Sequence, residues 1–97
     1  MRNRYLVAYD IADDRRLRKV GKKMADYGTR LQYSVFLVLL SEFERLELEV
    51  ALAELIKLPD DRVMIVNLGP QKNEPFANLY FMGPVPPLTR PPGPSIF

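Results

Sequence analysis

Apolar side chains run without a break from Tyr5 to Tyr9. A continuous apolar run of this length, bounded by charge on both sides, predicts a central strand buried on both faces, here Arg4 to Asp10. The period then changes. Leu17, Val20, Met24 and Tyr27 recur at helical spacing, while Arg15, Arg16, Arg18, Lys19, Lys22 and Lys23 fill the rest of the wheel. Asp13 stands where an N-cap belongs, and Asp14 adds negative charge to the first turn, where the helix dipole favours it. Gly28 is expected to close this helix as a left-handed C-terminal residue. Gly21 sits in the helix interior, where glycine costs about 0.8–1 kcal/mol relative to alanine, and so suggests close packing.

From Thr29 to Leu40 the chain is β-rich, with Leu31, Tyr33, Val35, Leu37 and Leu39 on one face of an unbroken strand. The segment is longer than an ordinary strand, so it is either one bent strand or two, split near Gln32 to Ser34. Ser41-Glu42-Phe43-Glu44 is a capping box. The helix it opens is expected to turn Phe43, Leu46, Val50, Ala53 and Ile56 inward and to end near Leu58, before Pro59-Asp60-Asp61. Arg62 to Leu68 predicts another strand, stopped by Gly69-Pro70. Asn78 to Met82 predicts a short additional strand, and six of the nine prolines lie beyond Gly83. That tail reads as extended or frayed chain outside the core.

Strand, helix, split β segment, helix, strand is the βαββαβ order of a ferredoxin-like α+β sandwich, here with an extra C-terminal strand. Residues 1–69 form its core, residues 70–83 the loop and extra strand, and residues 84–97 the proline-rich tail. A doubly wound parallel sheet would need more strands than 97 residues supply.

Composition narrows the chemistry. The chain has no cysteine and no histidine, which excludes disulfides, Cys/His zinc sites, thiol nucleophiles and the Ser-His-Asp triad. Ser34 therefore has no base to activate it. No GxxxxGK loop is present, which argues against phosphate-loop nucleotide hydrolysis. The longest apolar run, Val35 to Leu40, is too short to span a membrane. No signal-peptide pattern is seen, so a cytoplasmic location is expected. Net charge is only +2 but is polarised. Residues 1–30 carry nine basic and four acidic side chains, whereas residues 41–61 carry seven acidic and two basic ones. One face is thereby suited to a polyanion, although two ordinary solvated helix faces give the same count.

Asp10 is the principal candidate for chemistry. It ends a strand expected to be central, and ligands gather at the C-terminal edge of such strands. A carboxylate there suits Mg²⁺ or Mn²⁺, which prefer oxygen ligands and retain several waters. A turn or capping role accounts for an aspartate at a strand exit equally well. One carboxylate makes a weak site, and two related by a dimer axis make a better one. Asp13 and Asp14 are explained by capping alone. The basic helix lacks interleaved aromatics, so it suits contact with backbone phosphates rather than base reading.

Taken together, several segments resemble the small CRISPR-associated adaptation protein, the Cas-two family. These are Tyr9-Asp10-Ile11 with Asp13-Asp14 and a basic helix, then Tyr27-Gly28-Thr29-Arg30, then Gln32-Tyr33-Ser34-Val35-Phe36, then Arg62 to Ile65. The likeness covers roughly residues 4–69 in order and spacing. It implies a ferredoxin-like homodimer in which the strand near Leu79 to Met82 joins the partner's sheet. It also implies that Asp10 is the catalytic residue and shares one Mg²⁺ or Mn²⁺ with Asp10 of the partner subunit. Arg15, Arg16, Arg18, Lys19 and Arg30 would hold nucleic-acid phosphates. Tyr9 and Phe36 match aromatic positions of the family, shaping the site or packing the core. The implied activity is metal-dependent cleavage of RNA or double-stranded DNA. The implied pathway role is spacer acquisition, holding DNA beside the Cas-one integrase. Two other readings stay open: a purely non-catalytic DNA scaffold, and a dimeric ligand-sensing ferredoxin-like domain.

Overall fold

A computed structural model describes residues 1–88. Its elements are β1 (Asn3–Asp10), α1 (Asp14–Ala25), β2 (Gly28–Gln32), β3 (Val35–Leu40), α2 (Glu42–Leu55) and β4 (Arg62–Pro70). The sheet order is β2-β3-β1-β4, and every neighbouring pair is antiparallel. This is the ferredoxin-like α+β plan, with β1 central as its unbroken apolar run predicts. The long β segment is two strands, turning at Tyr33-Ser34.

Alternation along β1 sorts its side chains. Tyr5, Val7 and Tyr9 face the helices and join Val20, Met24, Phe36, Val38, Leu40, Leu48 and Leu52 in one buried cluster. Arg4, Leu6, Ala8 and Asp10 point to the other face. Leu37 and Leu39, opposite Leu6 and Arg4 in the register, are also buried on that side. The chain after β4 returns across it. Arg4 Nη1 donates to the carbonyls of Pro75 and Ala77, both at 3.1 Å, and Pro75 is buried. The cover is incomplete, because Met64 and Val66 of edge strand β4 remain exposed beside Ala8 and Leu6.

Asp13 caps α1 as predicted, its side chain accepting from the Arg16 N–H at 3.0 Å. That hydrogen bond holds the Asp13 carboxyl below its ordinary pKa. The C-terminus of α1 differs from expectation. Asp26, in right-handed conformation, is the C-cap, and Gly28 opens β2. Positive φ among the described glycines occurs at Gly69 and Gly83 instead. Gly28 answers to close approach rather than to turn conformation. A Cβ there would lie 2.1 Å from the Leu37 carbonyl oxygen and 2.5 Å from Val38 Cγ1. Gly28→Ala should therefore cost roughly 1–3 kcal/mol of overpacking strain, read as a lower denaturant midpoint. An unchanged midpoint would contradict this account.

The capping box of α2 forms. Ser41 Oγ accepts from the Glu44 N–H, and Glu44 accepts from the Ser41 N–H. The buried face of α2 differs from the expected one. Glu44, Leu48 and Leu52 point inward, and Ile56 packs on the core as expected. Phe43, Leu46, Val50 and Ala53 are exposed, Phe43 by 69% and Val50 by 63%. The helix carries two apolar stripes, and periodicity alone cannot choose between them. Burial of Leu48 and Leu52 in the core sets the choice, and Glu44 on the same side is held by Arg2 through Nε and Nη2 at 3.0 and 2.9 Å.

No strand forms over Asn78 to Met82 within the chain. That segment is turn and irregular structure, with Asn78 at φ 69°. It follows directly on the Pro75–Ala77 stretch that Arg4 holds to the sheet face. Residues 89–97 of the proline-rich tail lie outside the described residues.

Candidate nucleic-acid and metal site

Asp10 ends β1 on the face away from the helices, paired in register with Arg62 of β4. The two side chains are 80% and 83% exposed and lie 3.8 Å apart, Asp10 Oδ2 to Arg62 Nη2. Such an exposed, loose pair contributes little to stability and leaves the carboxylate accessible. Uncovered Met64 and half-buried Ala8 lie on the same face. Among the described residues, no group of three or more His, Cys, Asp or Glu side chains is placed to hold a metal ion. One hard oxygen donor per chain suits a cation such as Mg²⁺, which takes one or two carboxylates and fills its shell with water and phosphate oxygens. The donor type fits, and the donor number calls for a second carboxylate.

The loop after Asp10 is fixed from beneath. Ile11 is buried in the core, and the Ala12 N–H donates to Asp61 Oδ1 at 2.9 Å. Asp61, only 2% exposed, also accepts from Arg16 Nε at 2.8 Å, Arg16 Nη2 at 3.1 Å and the Lys57 N–H at 2.8 Å. The Arg16 hydrogen bond is the chief cause that holds the Asp61 carboxyl well below the usual carboxylate range. Burial opposes it, and the two backbone N–H groups assist. One carboxylate thus joins the β1–α1 loop, α1 and the α2–β4 loop. Sequence reasoning passed over Asp61, because an aspartate after Pro59-Asp60 reads as ordinary loop polarity. It read Glu44 only as a capping residue, because the Arg2 partner is 42 positions away.

The basic residues divide into three groups. Arg15, Arg18 and Lys19 are exposed on α1. Arg16 spends its guanidinium fork on Asp61, so its first role is to anchor the loop that follows Asp10. Arg30 joins Tyr9 and Phe36 on the helix side of the sheet. Its guanidinium carbon lies 4.8 Å from the Phe36 ring centroid, a cation–π arrangement, and its Nη1 donates to the Tyr33 carbonyl. Tyr9 and Phe36 stack at 6.3 Å and are buried core residues. They therefore pack behind β1 and do not line the face on which Asp10 stands.

A four-stranded antiparallel sheet backed by two helices, with an exposed carboxylate ending its central strand and a basic first helix, defines a ferredoxin-like α+β protein. The comparisons carry this to a family. The family model described as CRISPR associated protein Cas2 matches residues 2–74. A protein of Geobacter sulfurreducens named CRISPR-associated endoribonuclease Cas2 is 38% identical over 73 residues, 75% of this chain and 77% of its own. One of Synechocystis, named CRISPR-associated endoribonuclease Cas2 3, is 37% identical over 89 residues, 92% of each. Among solved structures, one described as cas2 superposes with a TM-score of 0.75 at 31% identity, covering 92% of this chain and 97% of that one. The Streptococcus pyogenes Cas2 structure gives 0.64 at 32%, covering 68% and 86%. The chain belongs to the Cas2 family of CRISPR-associated proteins.

Proposed function

We propose that this chain works as a homodimer that binds nucleic acid in CRISPR adaptation, and that Asp10 makes it a divalent-metal-dependent endonuclease acting on RNA or double-stranded DNA. One observation carries the reading: Asp10 stands exposed at the end of the central strand, on a sheet face whose apolar residues Met64 and Val66 are uncovered. A second copy packed there would bury that apolar strip and bring two carboxylates to one axis. Asp10 of the partner subunit would then supply the missing donor. A bound Mg²⁺ or Mn²⁺ supplies Lewis acidity and a more acidic water. The protein's own share is to hold Asp10 in place through Asp61 and Arg16 and to seat phosphates on Arg15, Arg18 and Lys19. The names of the relatives support ribonuclease chemistry. The expected setting is the cytoplasm. No helix among the described residues is long and apolar enough to cross a membrane.

A second reading is the non-catalytic DNA scaffold beside the Cas-one integrase. It is favoured by the exposed basic face of α1, which gives affinity without chemistry. Both readings share one test of binding. Changing Arg15, Arg18 and Lys19 together to glutamine should weaken duplex affinity. It should also make the log–log salt slope shallower by about 0.9 for each lost phosphate contact, measured by anisotropy from low to moderate salt. Unchanged affinity and slope would remove α1 from the interface.

A further inference from the structure

Gly21, unexplained by helix propensity, opens a pocket. A Cβ at Gly21 would lie 3.1 Å from Arg30 Nη2 and 3.5 Å from the Tyr9 hydroxyl. The absent side chain exposes both donors at the floor of a cavity of about 360 Å³ between α1 and the β2–β3 hairpin. Leu17, Ala25 and Tyr33 form its apolar walls, and Arg18 and Lys22 stand at its rim. Among the described residues, no carboxylate lines it.

We propose that this pocket takes one unpaired nucleotide, its base against Tyr33 and the apolar wall and its phosphate at the cationic rim. The inference rests on the nucleic-acid reading above and adds a site to it. It is separate from the Asp10 face, because Tyr9 and Asp10 are adjacent on a strand and point to opposite sides of the sheet. Four features carry it. The cavity has the size of a small-molecule site, with room for a single nucleotide and not for a base pair. Tyr33 is 73% exposed, a solvent-facing aromatic of the kind on which bases stack. Arg30 is pre-positioned by the Phe36 ring and the Tyr33 carbonyl, so its charge loses little freedom on binding. The Tyr9 hydroxyl, on the pocket floor beside Gly21, can donate to a base carbonyl. A carboxylate metabolite would use the cationic rim but leave the flat apolar wall unfilled.

The test measures binding of the full chain to three probes: a labelled 5′-phosphorylated tetrathymidylate, free thymidine 5′-monophosphate as competitor, and a labelled 30-base-pair duplex. Gly21→Leu fills the floor of the pocket, and Tyr33→Ala removes the exposed ring without touching the core. Each should weaken tetranucleotide binding by about tenfold or more, the scale of one lost stacking contact, with duplex affinity changed less than about twofold. Thermal melts should place Tyr33→Ala at the wild-type value, so one variant reads the site even if leucine at Gly21 disturbs the fold. Competition by the free nucleotide assigns the pocket to isolated nucleotides, and strand binding that resists competition assigns it to a nucleotide within a strand. Tetranucleotide binding that is absent from the wild type, or equal in the wild type and Tyr33→Ala, overturns the proposal. Wild-type protein that binds the tetranucleotide but not the duplex, with strand binding lost in Tyr33→Ala, would overturn the duplex reading and support the pocket.

Discussion

Asp10→Asn is expected to lower metal-dependent cleavage by the purified protein by at least about 100-fold while leaving its fold and duplex binding intact. Removing a mere supporting partner of a metal ligand typically costs about 10–100-fold, and a ligand itself should cost no less. Structural damage is not expected. The side chain is 80% exposed, and its ion pair to Arg62 at 3.8 Å is long and solvated, so stability should stay within about 0.5 kcal/mol. The measurement is initial cleavage rate against Mg²⁺ or Mn²⁺ concentration on RNA and duplex DNA, with a thermal melt of the same preparation. Cleavage undiminished in Asp10→Asn would overturn the assignment of Asp10 as the catalytic metal ligand. Loss of cleavage with binding retained would separate the nuclease reading from the scaffold reading.

Asp61→Ala should be the most damaging substitution to the fold. It leaves the Arg16 guanidinium and the Ala12 and Lys57 N–H groups facing a hole where they had a shared acceptor. Breaking a buried ion pair from one side is strongly destabilising, and in a domain this small the melting temperature should fall on the order of 15 °C. The pH dependence supplies a sharper check. The folded-state pKa of Asp61 is depressed, so its stabilisation is fully present above the unfolded carboxylate value near about 3.9. It is lost as pH falls below that value toward the folded one. The melting-temperature gap between wild type and Asp61→Asn should therefore be wide at neutral pH and narrow below about pH 4. A gap constant from neutral to strongly acidic pH would show that Asp61 is not ionised in the folded protein. Because Asp61 holds the loop that follows Asp10, Asp61→Asn should also reduce cleavage under conditions where the protein remains folded.

Much of the fold was legible in the residues. The unbroken Tyr5–Tyr9 run placed β1 in the middle of the sheet. Asp13 and the Ser41–Glu44 box marked both helix starts, because capping is a local interaction between neighbours in sequence. Where the reading erred, the deciding contact was distant. Gly28 was expected to turn the chain left-handed, yet what it answers to is the Leu37 carbonyl on the adjacent strand. Phe43, Leu46 and Val50 were expected inside, yet Leu48 and Leu52 pack into the core against the sheet and leave that stripe outward.

The candidate site divides along the same line. Asp10 was legible from its place at a strand exit, and Arg15, Arg18 and Lys19 from the charge count. Asp61 was not legible, nor was the commitment of Arg16 to it, because the two are 45 positions apart and each alone reads as surface polarity. Gly21 signalled only that something packs close. The sequence by itself determined the order and type of elements, the exclusion of thiol and imidazole chemistry, and one well-placed carboxylate. Those follow from local periodicity, capping and composition. Only the tertiary structure decided which helix face is buried, that Arg16 anchors the Asp10 loop, and that Tyr9, Gly21 and Arg30 surround a pocket rather than the Asp10 face. Each of these depends on atoms brought together across the sheet, where distance in space and distance along the chain no longer correspond.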